Sequence, residues 1–298
     1  MAWSLEQSYT EYPVIEEEFE QILDESLAPR GPDVLFELVA RMGLPAGATA
    51  VDVGCGEGVQ AITLAKRFGL NVIGVDPVQR HVDVARAAAE TAGMASAGPG
   101  MAGPGSGGLG SAGPGSAGVG VGGVEAIGVG FRVGWVEELP VSDQSVDLAW
   151  CRDVLVHVAD LGRAYREFRR VLKPGGRVLV YQMFGTELLE PREAAWLFAT
   201  MGVVPGSADP ASTDAAIADA GLRVERVVEL SSEWGEWAQE RNGKPGRKLL
   251  HAARLRREKK IFIARYGEAA YEMMLGDCLW HAYAMIGKLT RRVYVLTA

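Results

Sequence analysis

Between residues 35 and 185 the hydrophobic pattern switches repeatedly between short apolar runs and helical stripes. Leu35, Phe36, Val39 and Met42 form the apolar face of a helix that ends by Gly43, with Pro32 suited to its first turn. Val51 and Val53 read as a short buried strand. Gly54, Gly56 and Gly58 then remove every second side chain, and Val59, Ile62, Ala65 and Phe68 continue at helical spacing. The glycines therefore lie in a strand-to-helix turn. Residues 71–75 form a second apolar run ending in Asp76 and Pro77, and a helix follows over 81–91. Further strands are expected at 130–136, 145–151 and 177–184, with a basic amphipathic helix over 162–172 that turns Ala164, Tyr165, Phe168, Val171 and Leu172 inward. Strands alternating with helices in this way predict an α/β fold with a doubly wound, mostly parallel sheet.

Two segments depart from that alternation. Residues 1–30 hold eight acids against one base, Arg30, yet Val14, Phe19, Ile22 and Leu23 keep a helical apolar stripe, so this segment should pack on something. Residues 93–130 contain repeated A-G-P-G units and no charge from Met94 to Val124; this composition cannot offset its ordering entropy and reads as a flexible insertion. After the 177–184 strand, a helix is expected at 213–220, an alternating strand at 222–230 and a last strand at 292–296. Between the final two lies a helical insertion, residues 231–290. The chain thus reads as an N-terminal region, 1–30, on one domain, 31–298, that carries both insertions.

Composition narrows the function. A net charge of -8 argues against a general nucleic-acid or anionic-membrane binder. Cys55, Cys151 and Cys278 show no C-x-x-C spacing, which fits reduced thiols in a cytoplasm, and no metal-ligand cluster is visible. No apolar run approaches the ~18 residues of a membrane span, and no signal sequence is seen. Arg247, Lys248, Arg254, Arg256, Arg257, Lys259, Lys260 and Arg265 are read as a solvated helix face, able to oppose the acidic N-terminal segment of the same or a partner chain.

The glycine turn and Asp76, 22 positions after Gly54, carry the candidate chemistry. A carboxylate at the tip of the second strand is placed to grip an adenosine ribose. A dinucleotide site would want G-x-G-x-x-G, but Val59 occupies its last position and the third glycine comes one residue early at Gly58. The Asp52, Gly54, Gly56 and Gly58 pattern resembles motif I of the class I S-adenosylmethionine-dependent methyltransferases. The order of Glu137-Glu138-Leu139-Pro140, then Asp143 to Leu148, then Leu172-Lys173-Pro174-Gly175-Gly176 is similar to that family's later landmarks, as in its small-molecule, methyltransferase-11-like members. The resemblance covers about residues 35–185.

It implies a Rossmann-like seven-stranded sheet, an N-terminal helical lid, and S-adenosylmethionine as methyl donor with S-adenosylhomocysteine as product. Asp52, Gly54, Cys55, Gly56, Gly58, Asp76, Pro77, Trp135, Val136, Glu137 and Arg152 are its cofactor candidates, the turn amides taking the methionine end. Trp135 stands where the family usually has an Asp, so it could stack on the adenine but not accept its amino group. Tyr9, Tyr12, Asp153, Tyr181, Trp234 and Trp280 are candidates for the acceptor wall, with Trp3 beside the first two. His157, Glu233 and His281 are candidate bases, in that order. The aromatic-rich additions favour O, N or C methylation of a small aromatic metabolite over RNA or protein, and a homodimer contact is possible through the insertion. A nicotinamide-dependent oxidoreductase and a noncatalytic adenosine-binding protein are the rival readings.

Overall fold

Successive residues on the central strands point to opposite faces, and the core divides accordingly. Ala50, Val72, Leu148, Trp150 and Leu179 belong to one hydrophobic layer, while Val51, Val53, Ile73, Ala149, Cys151, Val178 and Val180 belong to the other. In a computed structural model of the chain, which describes residues 4–96 and 127–298, these residues sit on one sheet. Its strands are β1 (Thr49–Val53), β2 (Asn71–Asp76), β3 (Ala95–Ser96), β4 (Gly128–Val133), β5 (Val146–Arg152), β6 (Leu172–Gly185), β7 (Arg223–Glu229) and β8 (Leu289–Thr297). The spatial order is β3-β4-β2-β1-β5-β6-β8-β7. Strands β4, β2, β1, β5 and β6 run parallel, while β8 pairs antiparallel with both β6 and β7.

The seven-stranded expectation is met by the longer strands, with the two-residue β3 added beside β4. The strand expected at 130–136 ends earlier, at Val133, because the chain turns so that Trp135 bridges to Glu138. The flexible insertion expected at 93–130 lies mostly outside the described residues.

Helices α3 (Asp33–Arg41), α4 (Val59–Phe68) and α5 (Gln79–Thr91) cover one face through Leu35, Leu64 and Val82. The other face is covered by α6 (Leu161–Val171) and α8 (Pro210–Asp219) through Tyr165, Phe168 and Ile217. The Tyr165 and Phe168 rings are buried and meet edge to face at 5.6 Å. Truncating such a buried aromatic costs about 3–5 kcal/mol.

A third core joins α7 (Pro191–Met201), an element that the sequence reading did not assign, to the helical insertion. That insertion consists of α9 (Glu233–Asn242), α10 (Lys244–Arg257), α11 (Lys259–Tyr266) and α12 (Glu268–Met285). Leu197, Leu255, Cys278 and Leu279 are buried where these helices meet. Three of its bases pair with nearby acids, Lys248 with Asp277, Lys259 with Glu272 and Arg257 with Glu258, while Arg247, Arg254, Arg256, Lys260 and Arg265 are exposed, as a solvated face requires.

The N-terminal helices α1 (Leu5–Thr10) and α2 (Tyr12–Asp24) correct another expectation. Phe19, Ile22 and Leu23 are exposed, so the described chain leaves these three residues of the apolar stripe uncovered. The segment after α2 is anchored instead. Ser26 donates to Glu240, and Arg30 is ion-paired with Glu233, its Nε donating at 2.7 Å. No helix among the described residues is long and apolar enough to cross a membrane.

Candidate active site

The turn after β1 is built on three glycines in the left-handed region, with φ of +71° at Gly54, +51° at Gly56 and +84° at Gly58. L side chains rarely adopt that conformation, and each glycine answers a different spatial demand. A Cβ on Gly54 would lie 2.1 Å from Val154 Cγ2, and one on Gly58 would lie 2.8 Å from the Phe131 ring. Gly58 thus lets α4 sit against the sheet. A Cβ on Gly56 would meet nothing within 4 Å, so this residue presents backbone to open space.

Four of the turn amides are not the free donors expected. Gly54 and Cys55 both donate to the Val75 carbonyl, Gly58 donates to Cys55, and Gly56 donates to Asp76 Oδ2 at 2.9 Å. At Gly56 the turn offers a ligand close backbone approach.

Asp76, at the tip of β2, is buried and also accepts from the Val78 amide at 2.9 Å and faces His81 Nδ1 at 3.1 Å. A carboxylate has about four acceptor positions, so roughly one remains. Gly54, Gly56, Asp76, Pro77, Trp135, Val136, Glu137 and Arg152 border a single crevice of about 480 Å³. It lies at the carboxyl ends of β1, β2, β4 and β5, where the chain reverses direction across the sheet. Of the other cofactor candidates, Cys55 and Gly58 are packed behind the turn and Asp52 lies beneath it.

Asp52 is 2% exposed and its Oδ2 has no hydrogen-bond partner. Burial pushes its carboxyl up to about 7, against the pull of the Ala61 amide and Arg152. His81 and Val154 also border the crevice and were missed by sequence reasoning. The position of His81, five residues after Asp76 at the start of a helix, was the available signal.

A second cavity, also of about 480 Å³, adjoins the first. Its walls come from the tips of β5 and β6 and from the helical insertion. Tyr181, Trp234, Trp280 and His281 all border it. The Tyr181 and Trp234 rings stack at 4.3 Å and 12°, and the Arg152 guanidinium lies 5.3 Å from the Trp234 ring centre. Trp237 of α9 borders this cavity too, and sequence reasoning missed Lys244 and Arg291, which the fold brings in from α10 and β8.

Arg152, Asp153 and His157 border both cavities. Asp153 holds φ +60°, an uncommon value for a non-glycine residue, and its side chain is 53% exposed. A 3-10 turn over Leu155–His157 sets the imidazole, whose Nδ1 lies 2.8 Å from the Gly202 carbonyl. A carbonyl only accepts, so Nδ1 carries the hydrogen and Nε2 holds the free lone pair of the neutral ring. His281 is oriented in the same way, with Nδ1 2.9 Å from the Asp277 carbonyl.

Three site expectations are corrected. Glu233 does not border either cavity; its carboxylate is occupied by Arg30, which holds its pKa down. Tyr9 and Tyr12 are 79% and 50% exposed on α1 and α2 and border neither cavity. Trp3 lies outside the described residues.

Sequence-family models described as methyltransferase domains match residues 50–98 and 117–180. These matches identify a methyltransferase domain within residues 50–180. It is 27% identical to methyltransferase GfsG of Streptomyces halstedii over 154 residues, 52% of this chain and 44% of that protein. The chain spans less than half the length of this relative. Other relatives are named as O-, C- and N-methyltransferases, including a ubiquinone biosynthesis O-methyltransferase of Methylobacterium and sterol 24-C-methyltransferase erg6 of Aspergillus fumigatus, at 29% and 27% identity over about half of this chain.

The fold is similar to that of the [4+2]-cyclase SpnF, with a TM-score of 0.61, 22% identity, and coverage of 89% of this chain and 80% of that one. It is also similar to geranyl diphosphate C-methyltransferase of Streptomyces coelicolor A3(2), crystallised with S-adenosylhomocysteine, with a TM-score of 0.58, 17% identity, and coverage of 88% and 77%. A cyclase among these neighbours means that the fold of this methyltransferase domain does not by itself decide the reaction.

The crevice fits an adenosyl cofactor on its own features. Gly56 leaves the space a Cβ would fill, Asp76 retains acceptor capacity, and the buried Asp52 Oδ2 lacks a partner.

Proposed function

We propose that the chain transfers a methyl group from S-adenosylmethionine, held in the glycine-turn crevice, to an O, N or electron-rich C of a small aromatic acceptor in the adjoining cavity. One observation carries this reading: the two cavities adjoin, with Arg152, Asp153 and His157 bordering both. Asp76 would hold the ribose, Val136 and Trp135 the adenine edge, and Gly54 and Gly56 the methionine end. When bound, the cofactor supplies a methyl made electrophilic by its sulfonium.

The protein's part is alignment, water exclusion and, for an acceptor that loses a proton, its removal. Tyr181, Trp234 and Trp280 give a planar acceptor apolar wall area, consistent with a small aromatic ring. His157 is the favoured base over His281, because it borders both spaces and its free Nε2 can take a proton while Gly202 holds Nδ1. The relatives named as O-, C- and N-methyltransferases leave the acceptor atom open. Three buried free cysteines are consistent with work in a reducing compartment such as the cytoplasm.

The test is transfer of label from methyl-tritiated S-adenosylmethionine to pools of small aromatic acceptors, with S-adenosylhomocysteine measured in parallel. Label appearing in acceptor with one equivalent of S-adenosylhomocysteine supports the reading. Cofactor binding without transfer to any acceptor supports the noncatalytic alternative, and tight binding of a nicotinamide dinucleotide in its place supports an oxidoreductase.

A further inference from the structure

The acceptor cavity is lined unevenly in charge. Its cations are Arg152, Lys244 and Arg291; its single carboxylate is Asp153. Arg152 accounts for Asp153, with Nε to Oδ2 at 3.4 Å, and also lies over the Tyr181 and Trp234 rings. Lys244, the first residue of α10, is exposed, where water can solvate an ammonium at little cost. Arg291 differs from both. It is 7% exposed, and no carboxylate among the described residues lies within ion-pair distance of its guanidinium.

A buried guanidinium without a paired anion is costly, since removing a charge from water is offset only by an ion partner or full hydrogen bonding. Arg291 has part of this: Nη1 donates to the Ser231 carbonyl at 3.0 Å. The Tyr181 hydroxyl and Asp153 are its other polar neighbours. A guanidinium carries five N–H donors in a fixed fork, so donors remain toward the cavity. Strand pairing fixes the residue there, Arg291 standing opposite Met183 across β6 and β8, and Met183 borders the same cavity.

Resting on the reading of this cavity as the acceptor site, we infer that the acceptor is an aromatic carboxylate whose carboxylate is received by Arg291. A planar carboxylate matches the open side of a guanidinium fork in a way that a neutral amide does not. A phosphate dianion would bring a second negative charge to a site with one buried unpaired cation. The stacked Tyr181 and Trp234 rings, with Trp237 and Trp280, supply the apolar surface for the ring.

The probes are 2-naphthoate, 2-naphthamide and 2-naphthyl phosphate, titrated calorimetrically into the full chain saturated with S-adenosylhomocysteine. The expected result is naphthoate binding at least tenfold tighter than the amide and tighter than the phosphate. Arg291→Gln should bring the carboxylate-to-amide preference below threefold, with S-adenosylhomocysteine affinity kept within twofold, and Arg291→Lys should retain part of it. Should Arg291→Gln fail to fold, the wild-type ratio and the Lys variant decide. Equal binding of acid and amide, no binding of either at millimolar concentration, tighter phosphate binding, or a preference untouched by Arg291→Gln would each overturn the assignment. Loss of S-adenosylhomocysteine binding in the wild type would instead sink the underlying methyltransferase reading, so the two failures are separable.

Discussion

The Gly56 amide donates to Asp76 Oδ2 at 2.9 Å, which ties the glycine turn to the tip of β2. One carboxylate therefore shapes the crevice and borders it. Asp76→Ala should weaken S-adenosylhomocysteine binding at least tenfold by calorimetry, equivalent to about 1.4 kcal/mol. Asp76→Asn, which keeps one acceptor oxygen, should fall between. Unchanged affinity in the Ala variant would remove Asp76 from the ribose site.

Gly54 faces the opposite constraint. Its φ of +71° and the 2.1 Å approach of a Cβ to Val154 mean that Gly54→Ala must move Val154 or the turn. The expected loss is about 1–3 kcal/mol, read from denaturant melts. Adding Val154→Ala should recover the steric part but not the backbone part. A wild-type melt for Gly54→Ala alone would contradict this packing.

His157→Gln should lower kcat by about 10²-fold or more if the acceptor loses a proton in the transfer. It should also flatten the acidic limb of the pH–rate profile, since an amide does not titrate there. Full turnover in this variant would take His157 out of the reaction, and a matching loss in His281→Gln alone would move the role there.

Asp52 predicts a pH dependence of stability. Its carboxyl is pushed up to about 7 in the folded chain from an ordinary value near 4, so the native state binds the proton more tightly than the unfolded state. Its contribution is present below about pH 4 and is lost as pH rises toward 7, on the order of a few kcal/mol. Asp52→Asn, which cannot ionise, should therefore narrow the stability decline between pH 4 and 7 in the ligand-free protein. An unaltered pH profile would show that Asp52 is solvated or paired in solution.

The sheet and its cofactor edge were legible in the chain because their determinants are local. Strand alternation, the glycine turn and the acid after the second run are each set within a few residues, and α4 falls on Val59–Phe68 as its period predicts. The turn's hydrogen bonding was not legible. The Val75 carbonyl and the Asp76 carboxylate that satisfy its amides come from the neighbouring strand.

The second cavity was decided by tertiary structure. Arg30 and Glu233 are 203 residues apart, and their pairing takes a candidate base out of the site. Arg291 reads in sequence as one polar position of a last strand, and only the β6–β8 pairing turns it into a buried cation beside Tyr181. The sequence by itself determined the sheet, the crevice and its cofactor class, because short-range period and backbone freedom encode them. Which charges and rings share the second cavity depended on contacts between distant segments, where no local pattern records the partner.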